Sequence, residues 1–375
     1  MATTGFDSAR LARAAELCEE AVGRGDLEGA SLFVARGGEV ALNRAWGKVR
    51  FRLEPDGPTG LPAASEPRPV TPETVWLVAS VTKPIVCAGV CLLLERGLVG
   101  LDDPVRRFFP EMTGEDRREM TLRHLLTHTS GLPDMLPENV ELRRSHAPIA
   151  EYVRRACVTP LRFRPGTDVA YQSMGVLLLG ALIERLTDMP CRRFLAREFF
   201  EPLGMTTTEL GWSPALPGRA AVARLDGGTA PSLWDWNSRY WRDFGAPWGG
   251  LFASAPEVGR FLMMLGSGGV WRDRHYLGRA TVQEMTRNQT ADLPNLPDAV
   301  RRRSTWGLGW RVAAGRESDY LGDLTGRRAF GHAGATGTGV WHDPDSGVTF
   351  VLFTNQPGCG RFIGLVSNAV AAAAL

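Results

Sequence analysis

Lysine is almost missing from this chain. Of 43 basic side chains only two, Lys48 and Lys83, are lysines, and the rest are arginines. Where a positive charge alone is wanted, arginine serves. A lysine kept against that background is a candidate for something arginine cannot do, because a desolvated lysine loses its proton and an arginine does not. An excess of one charge is missing too: 43 basic groups face 41 acidic ones, a formal net charge of +2. Such a balance excludes the electrostatic footprint of a nucleic-acid partner or an anionic membrane. Short basic blocks such as Arg301-Arg302-Arg303 read as solvated turns. No run of about 18 apolar residues occurs, which excludes a membrane-spanning helix. The first residues lack the apolar stretch of a signal peptide and read instead as an amphipathic helix carrying Leu11, Ala14, Leu17, Cys18 and Val22. A cytoplasmic location is the resulting expectation.

Cysteine pairing is equally scarce. The six cysteines are widely spaced, with no C-x-x-C and no H-E-x-x-H anywhere. They read as buried free thiols in a reducing compartment, and neither a metal nor another cofactor is expected. The G-x-S-x-G elbow is absent, which argues against an α/β-hydrolase. There is no internal repeat.

What is present is an ordinary globular composition, 44% hydrophobic and 22% charged, in a chain of 375 residues that is long enough for a large core or two lobes. Residues 29–48 read as two strands around Gly37-Gly38, and 51–70 as a Pro/Gly loop. Residues 82–97 read as a buried helix that tolerates Pro84 in its first turn. Helices are predicted at 121–127, 148–157, 173–187, 191–200, 256–265 and 279–287. Residues 228–250 read as a long loop rich in tryptophan. Strands return at 307–313, 328–332, 338–343 and 347–354, before a helix over about 360–374. The expected architecture is α/β (α+β). An antiparallel sheet flanked by helices, built from both chain ends (residues 1–103 plus 305–375), carries an inserted, mainly helical lobe (104–304). A cleft between the two is the natural place for a site.

Three short elements carry candidate chemistry. In Ser80-Val81-Thr82-Lys83, the first and last residues share one face at the start of a helix. A helix N-terminus offers amide donors there. A serine needs a neighbouring base before it can attack, and a buried lysine of lowered pKa can serve. Read alone, Ser80 is equally a helix cap and Lys83 a surface residue. Tyr171-Gln172-Ser173 follows a Pro-Gly turn and precedes an apolar helix, so Tyr171 and Ser173 can face one cleft. A tyrosinate beside a lysine is a plausible general base; a structural tyrosine is the plain alternative. Phe330-Gly331-His332-Ala333-Gly334-Ala335 reads as a strand in which Gly334 admits a ligand to the backbone.

In this order, S-x-x-K, Y-x-S and a K-T-G-like strand resemble the signature set of the serine β-lactamases and penicillin-binding proteins. Leu125–Leu132, Gly249–Ser254 and Trp306–Trp310 also look like stretches of that family. The likeness runs over roughly residues 25–370. By motif the chain is most similar to class C β-lactamases, D-alanyl-D-alanine carboxypeptidases and the β-lactamase-like (family VIII) carboxylesterases. The resemblance implies that Ser80 is acylated and that Lys83 and Tyr171 move its proton. It also implies that the Ser80 and Ala335 amides bind the oxyanion, with His332 and Gly334 lining the substrate. Two positions depart from the class C pattern: Ser173 stands for an asparagine, and His332-Ala333-Gly334 for K-T-G. A neutral histidine in place of the strand lysine weakens the case for anionic β-lactams.

The expected activity is therefore hydrolysis of carboxylic esters, or amides, with neutral or hydrophobic acyl groups. A β-lactamase or D-amino-acid peptidase and an acyltransferase are the alternatives, and a catalytically silent binding protein is disfavoured. Trp241 and Trp248, in the tryptophan-rich loop, either wall the acyl pocket or anchor the core. His128-Thr129-Ser130 reads as a structural loop. The partner is a small-molecule substrate, and the oligomeric state is not readable from the sequence.

Overall fold

The computed structural model describes residues 5–56, 63–225, 231–315 and 320–375. Among them run the strands β1 (Gly29–Arg36), β2 (Glu39–Val49), β3 (Arg68–Pro69), β4 (Trp76–Leu77), β5 (Glu209–Leu210) and β6 (Leu251–Ala253). These are followed by β7 (Val270–Trp271), β8 (Arg274–His275), β9 (Arg311–Val312), β10 (Phe330–Gly334), β11 (Thr338–Asp343) and β12 (Val348–Thr354). Seven of these make one antiparallel sheet in the order β3-β2-β1-β12-β11-β10-β9. Strands from both halves of the chain thus share a sheet, as their spacing in the sequence predicts.

Side chains alternate between the two faces of a strand. On β1, Leu32 and Val34 join Phe350 and Leu352 of β12 in one core, under the helices Ser8–Gly23 and Gly360–Ala373. Phe33 and Ala35 join Val351 and Phe353 in a second core, under the helix Ala255–Gly266. A strand covered on both faces is apolar towards both, which is why Leu32–Ala35 and Phe350–Phe353 are continuous apolar runs, with Ser31 and Thr349 buried before them. Asp7 caps the first helix by accepting from the amides of Ala9 and Arg10, each at 3.0 Å. Phe6 bridges Ala374 beside it.

The helix Thr82–Glu95 is buried from Thr82 through Leu93 and packs on the helix Met174–Thr187. Gly97, with φ of 70°, follows its end. A second, three-stranded sheet has β6 between β4 and β5. It ties the segment leading into Ser80 to the residues after Trp248 through the pairs Trp76↔Ala253 and Leu77↔Phe252.

Two local expectations of secondary structure change. The strand expected at 307–313 shortens to β9. The loop expected at 228–250 contains the helix Arg239–Phe244, started by Ser238 Oγ accepting from the Trp241 amide at 3.1 Å; its residues 228–230 lie outside those described, as do 57–62 of the 51–70 loop. The division into residues 1–103 plus 305–375 and an insertion at 104–304 stands as a proposal. The helix Ala255–Gly266 falls inside those insertion limits yet packs on β1 and β12. Five cysteines are buried free thiols and Cys359 is partly exposed. No helix among the described residues is long and apolar enough to cross a membrane.

Candidate active site

Ser80 sits in a single 3-10 turn, Ala79–Val81, between β4 and the helix Thr82–Glu95. Ala79 has φ of 46°, a left-handed backbone that costs a non-glycine residue roughly 1–3 kcal/mol. The turn is fastened on several sides. Thr82 Oγ1 donates to the Ala79 carbonyl at 2.6 Å and accepts from the Leu251 amide at 3.1 Å. The Val78 carbonyl accepts from Thr338 Oγ1 at 2.9 Å, and the Leu77 carbonyl from Thr336 Oγ1 at 2.5 Å.

One helical turn beyond Ser80, Lys83 is almost completely buried. Its Nζ lies 3.0 Å from Ser80 Oγ and donates to the Trp248 carbonyl at 2.8 Å. Burial lowers its pKa to about 7, against a smaller opposing pull from the charge of Asp134. Burial thus brings the neutral amine, the form able to accept a proton, into reach near neutral pH.

Tyr171 lies near enough to Ser80 for the serine to act on its phenol, and its ring lies 4.7 Å from Lys83 Nζ. Burial pushes the phenol far above its ordinary range, and the serine offsets only part of this. The tyrosinate envisaged from the sequence is not favoured, because desolvation, with the charge of Asp134 acting in the same direction, raises the phenol's pKa. Tyr171 is a protonated phenol at neutral pH, able to pass a proton along rather than hold a negative charge.

His332 lies on β10, with ring centroids 6.0 Å from Tyr171 and 5.9 Å from Trp306. Its Nδ1 donates to the Ala333 carbonyl at 2.7 Å, and Nε2 is buried without a hydrogen-bond partner among the described residues. Burial first, then the charge of Lys83, lower its pKa to about 3. The imidazole is neutral throughout the physiological range. β9 pairs only with Phe330 and Gly331, which leaves that edge of β10 unpaired from His332 to Gly334. The same stretch packs on the Ser80 turn, and Ala335 is exposed in the turn that follows.

Four expected residues have other surroundings. A Cβ on Gly334 would lie 2.2 Å from the Val78 carbonyl oxygen and 3.2 Å from Ala79 Cβ. The glycine makes room for the protein's own backbone, the turn that carries Ser80. Ser173 is buried, donating from Oγ to Asp134 Oδ1 at 2.6 Å. Trp241 and Trp248 are buried core anchors, 6.2 Å apart edge to face, with Phe244 5.6 Å from Trp248. Trp248 serves the site through its carbonyl on Lys83, not through its ring. Sequence reasoning missed Asp134, whose charge acts on both Lys83 and Tyr171. It also assigned no role to Trp306 within Trp306–Trp310, and no signal beyond proximity to those family-like stretches marks either residue.

Comparison with known proteins agrees with this geometry. The Beta-lactamase family model matches residues 14–371. A Salmonella enteritidis protein, provisionally named a D-alanyl-D-alanine carboxypeptidase, is 26% identical over 387 residues, covering 94% of this chain and 84% of its own. Esterase EstB of Burkholderia gladioli is 35% identical over 244 residues, 60% of this chain and 58% of its own. The crystal structure of a family VIII carboxylesterase superposes with a TM-score of 0.75 at 19% identity, covering 99% of both chains; that likeness concerns the fold.

Proposed function

Because the chain belongs to the Beta-lactamase family, we propose that Ser80 is its acylated nucleophile and that the preferred substrates are carboxylic esters with neutral or hydrophobic acyl groups. The observation that carries the reading is the 3.0 Å approach of a buried Lys83, its pKa lowered by burial, to Ser80 Oγ. Neutral Lys83 takes the serine proton as Oγ attacks the ester carbonyl. The negative charge on the carbonyl oxygen falls to the amides of Ser80 and Ala335 at the open edge of β10. Tyr171, beside Ser80, relays the proton from Lys83 to the departing alkoxide. Water then attacks the acyl-enzyme by the same route reversed, and Ser80 and Lys83 return to their starting states.

The ester preference rests on His332. At the position where class C enzymes carry a lysine, this imidazole is neutral and its Nδ1 is already committed to Ala333. It offers an anionic β-lactam or a peptide carboxylate no countercharge. Esterase EstB, by its name, supports the same preference.

The test is turnover of short p-nitrophenyl esters beside a chromogenic cephalosporin, by the wild type and Ser80→Ala. Ester hydrolysis that disappears in Ser80→Ala, with little cephalosporin cleavage, is the expected result. Cephalosporin turnover far faster than any ester would overturn the preference. Ester turnover that survives in Ser80→Ala would overturn the nucleophile.

A further inference from the structure

Tyr171 lies in irregular backbone between the Pro165-Gly166 turn and the helix Met174–Thr187, with no helix or strand of its own to hold it. The two residues flanking it are nevertheless fixed by one neighbour. The Ala170 amide donates to the His128 carbonyl at 3.0 Å, and the Gln172 amide donates to His128 Nδ1 at 3.1 Å. The His128 ring also packs on the Tyr171 ring, with centroids 4.9 Å apart, and stands edge-on to Trp306 at 4.2 Å. His128 is 1% exposed and holds φ of 60°, a backbone conformation uncommon outside glycine. A single residue thus grips the tyrosine on both sides along the main chain and on one face of its ring.

We propose that His128 is a positioning residue for Tyr171. Its carbonyl and its neutral imidazole clamp residues 170–172, so that the phenol stays within reach of Ser80 and Lys83. The inference rests on the reading that Tyr171 relays the catalytic proton. Because Nδ1 must accept, the ring proton sits on Nε2, and a protonated imidazole would turn the acceptor into a donor facing the Gln172 N–H. Burial keeps His128 neutral, pushing its pKa well down, with His332, Lys83 and Arg311 acting in the same direction. The surrounding loop extends the clamp. Ser130 Oγ bonds the Gln172 side-chain carbonyl, whose amide nitrogen donates to the carbonyls of His124 and Leu125 at 3.2 Å each. The Ser173 amide donates to the Asp134 carbonyl at 3.2 Å. Residues 124–134, the His-Thr-Ser segment among them, therefore form a template on which 170–173 is laid down.

Two substitutions separate the parts of this arrangement. His128→Asn keeps an acceptor oxygen close to the place of Nδ1 and tolerates a positive φ. His128→Phe keeps the ring and loses the acceptor, leaving the buried Gln172 N–H unpaired. With a p-nitrophenyl ester, His128→Phe is expected to lose roughly 10- to 100-fold in kcat with KM within about threefold. His128→Asn should recover most of that loss. The acid limb of the pH profile, set by Lys83, should stay near pH 7 in both variants. A folded His128→Phe with wild-type kcat overturns the proposal, and so does a folded His128→Asn as slow as His128→Phe. If His128→Phe does not fold, the imidazole nitrogen NMR of the wild type decides: an unprotonated, hydrogen-bonded Nδ1 is expected, and a proton on Nδ1 overturns the clamp. Tyr171→Phe is the control for the premise. If it is fully active, the relay reading fails; if it is slow while His128→Phe is not, only the clamp fails.

Discussion

The middle of the large sheet and the cleft at Ser80 bury their residues under opposite rules. Where β1 meets β12, the inner positions Leu32, Phe33, Val34, Phe350, Val351 and Leu352 are apolar and at most 2% exposed. Every polar group there belongs to the backbone ladder and is satisfied within it. Around Ser80 the buried groups are Lys83, His128 and His332, and the Nε2 atoms of both histidines have no hydrogen-bond partner among the described residues. The same neighbourhood holds two non-glycine residues, Ala79 and His128, at positive φ. The first region gains stability from every atom it buries. The second gives stability up to keep a buried amine within reach of a phenol and a serine, the balance expected where chemistry needs a shifted pKa.

If that contrast is right, it can be broken from either end. Replacing Lys83 with Met should have the largest effect, a loss of roughly 10³-fold or more in ester turnover. It should also raise stability. Lys83 is held at about 7 in the fold, against 10.5 for an ordinary lysine, so below pH 7 folding buries a charge at full cost. That cost fades as the pH rises from about 7 towards 10.5, where the unfolded chain loses its proton too. Thermal unfolding at pH 6 should therefore show the Met variant above the wild type, with the gap closing by pH 10. A destabilised Met variant at pH 6 would remove the contrast. In the wild type, kcat/KM should fall about tenfold per pH unit below pH 7 and level off above it.

From the other end, Phe350→Ala should cost about 3–5 kcal/mol in denaturant unfolding while leaving kcat of the folded protein within about twofold. A large fall in kcat would mean that the two regions are not separable. Tyr171→Phe should slow turnover roughly 100-fold with unfolding little changed. Ser173→Ala is the smallest change, within about fivefold in kcat/KM. Its hydroxyl meets Asp134 instead of substrate, and one hydrogen bond is all it loses. A loss as large as that of Tyr171→Phe would return Ser173 to the substrate pocket.

The two regions are also unequally legible in the sequence. The sheet core announces itself through local pattern: β1 and β2 around Gly37-Gly38, unbroken apolar runs in β1 and β12, and a helix Thr82–Glu95 that is apolar nearly all round. The serine-lysine pair can be read because i and i+3 on a helix face must meet, although the helix proper begins at Thr82 and Ser80 precedes it in a tighter turn. β9 is shorter than its pattern suggests because Trp306–Trp310 has strand-like composition, whereas Gly309, with φ of 83° and Cys87 Sγ 2.6 Å from where a Cβ would stand, is held in a turn against the buried helix. The roles of Asp134, His128 and the Trp248 carbonyl are out of reach. Each depends on a contact between segments far apart in the chain, and in two of the three the working atom includes a main-chain oxygen, which no side-chain pattern marks. Gly334 shows the converse: its need for close approach is readable, but what approaches is not.

The order of strands in the large sheet also sets a timetable for synthesis. β1 lies between β2 and β12, and Ala30 pairs with Thr354 near the far end of the chain. At roughly 5–20 residues per second, a ribosome needs about 15–60 s between delivering β1 and delivering its second neighbour. For that interval the hairpin of β1 and β2 has only the helix Ser8–Gly23 to cover one face, while its edge towards β12 and the face later taken by the helix Ala255–Gly266 stay open, a segment prone to strand-to-strand aggregation. Yield in the cell should accordingly depend on what shelters this hairpin during translation, and on the rate of translation itself, more than on the stability of the finished fold.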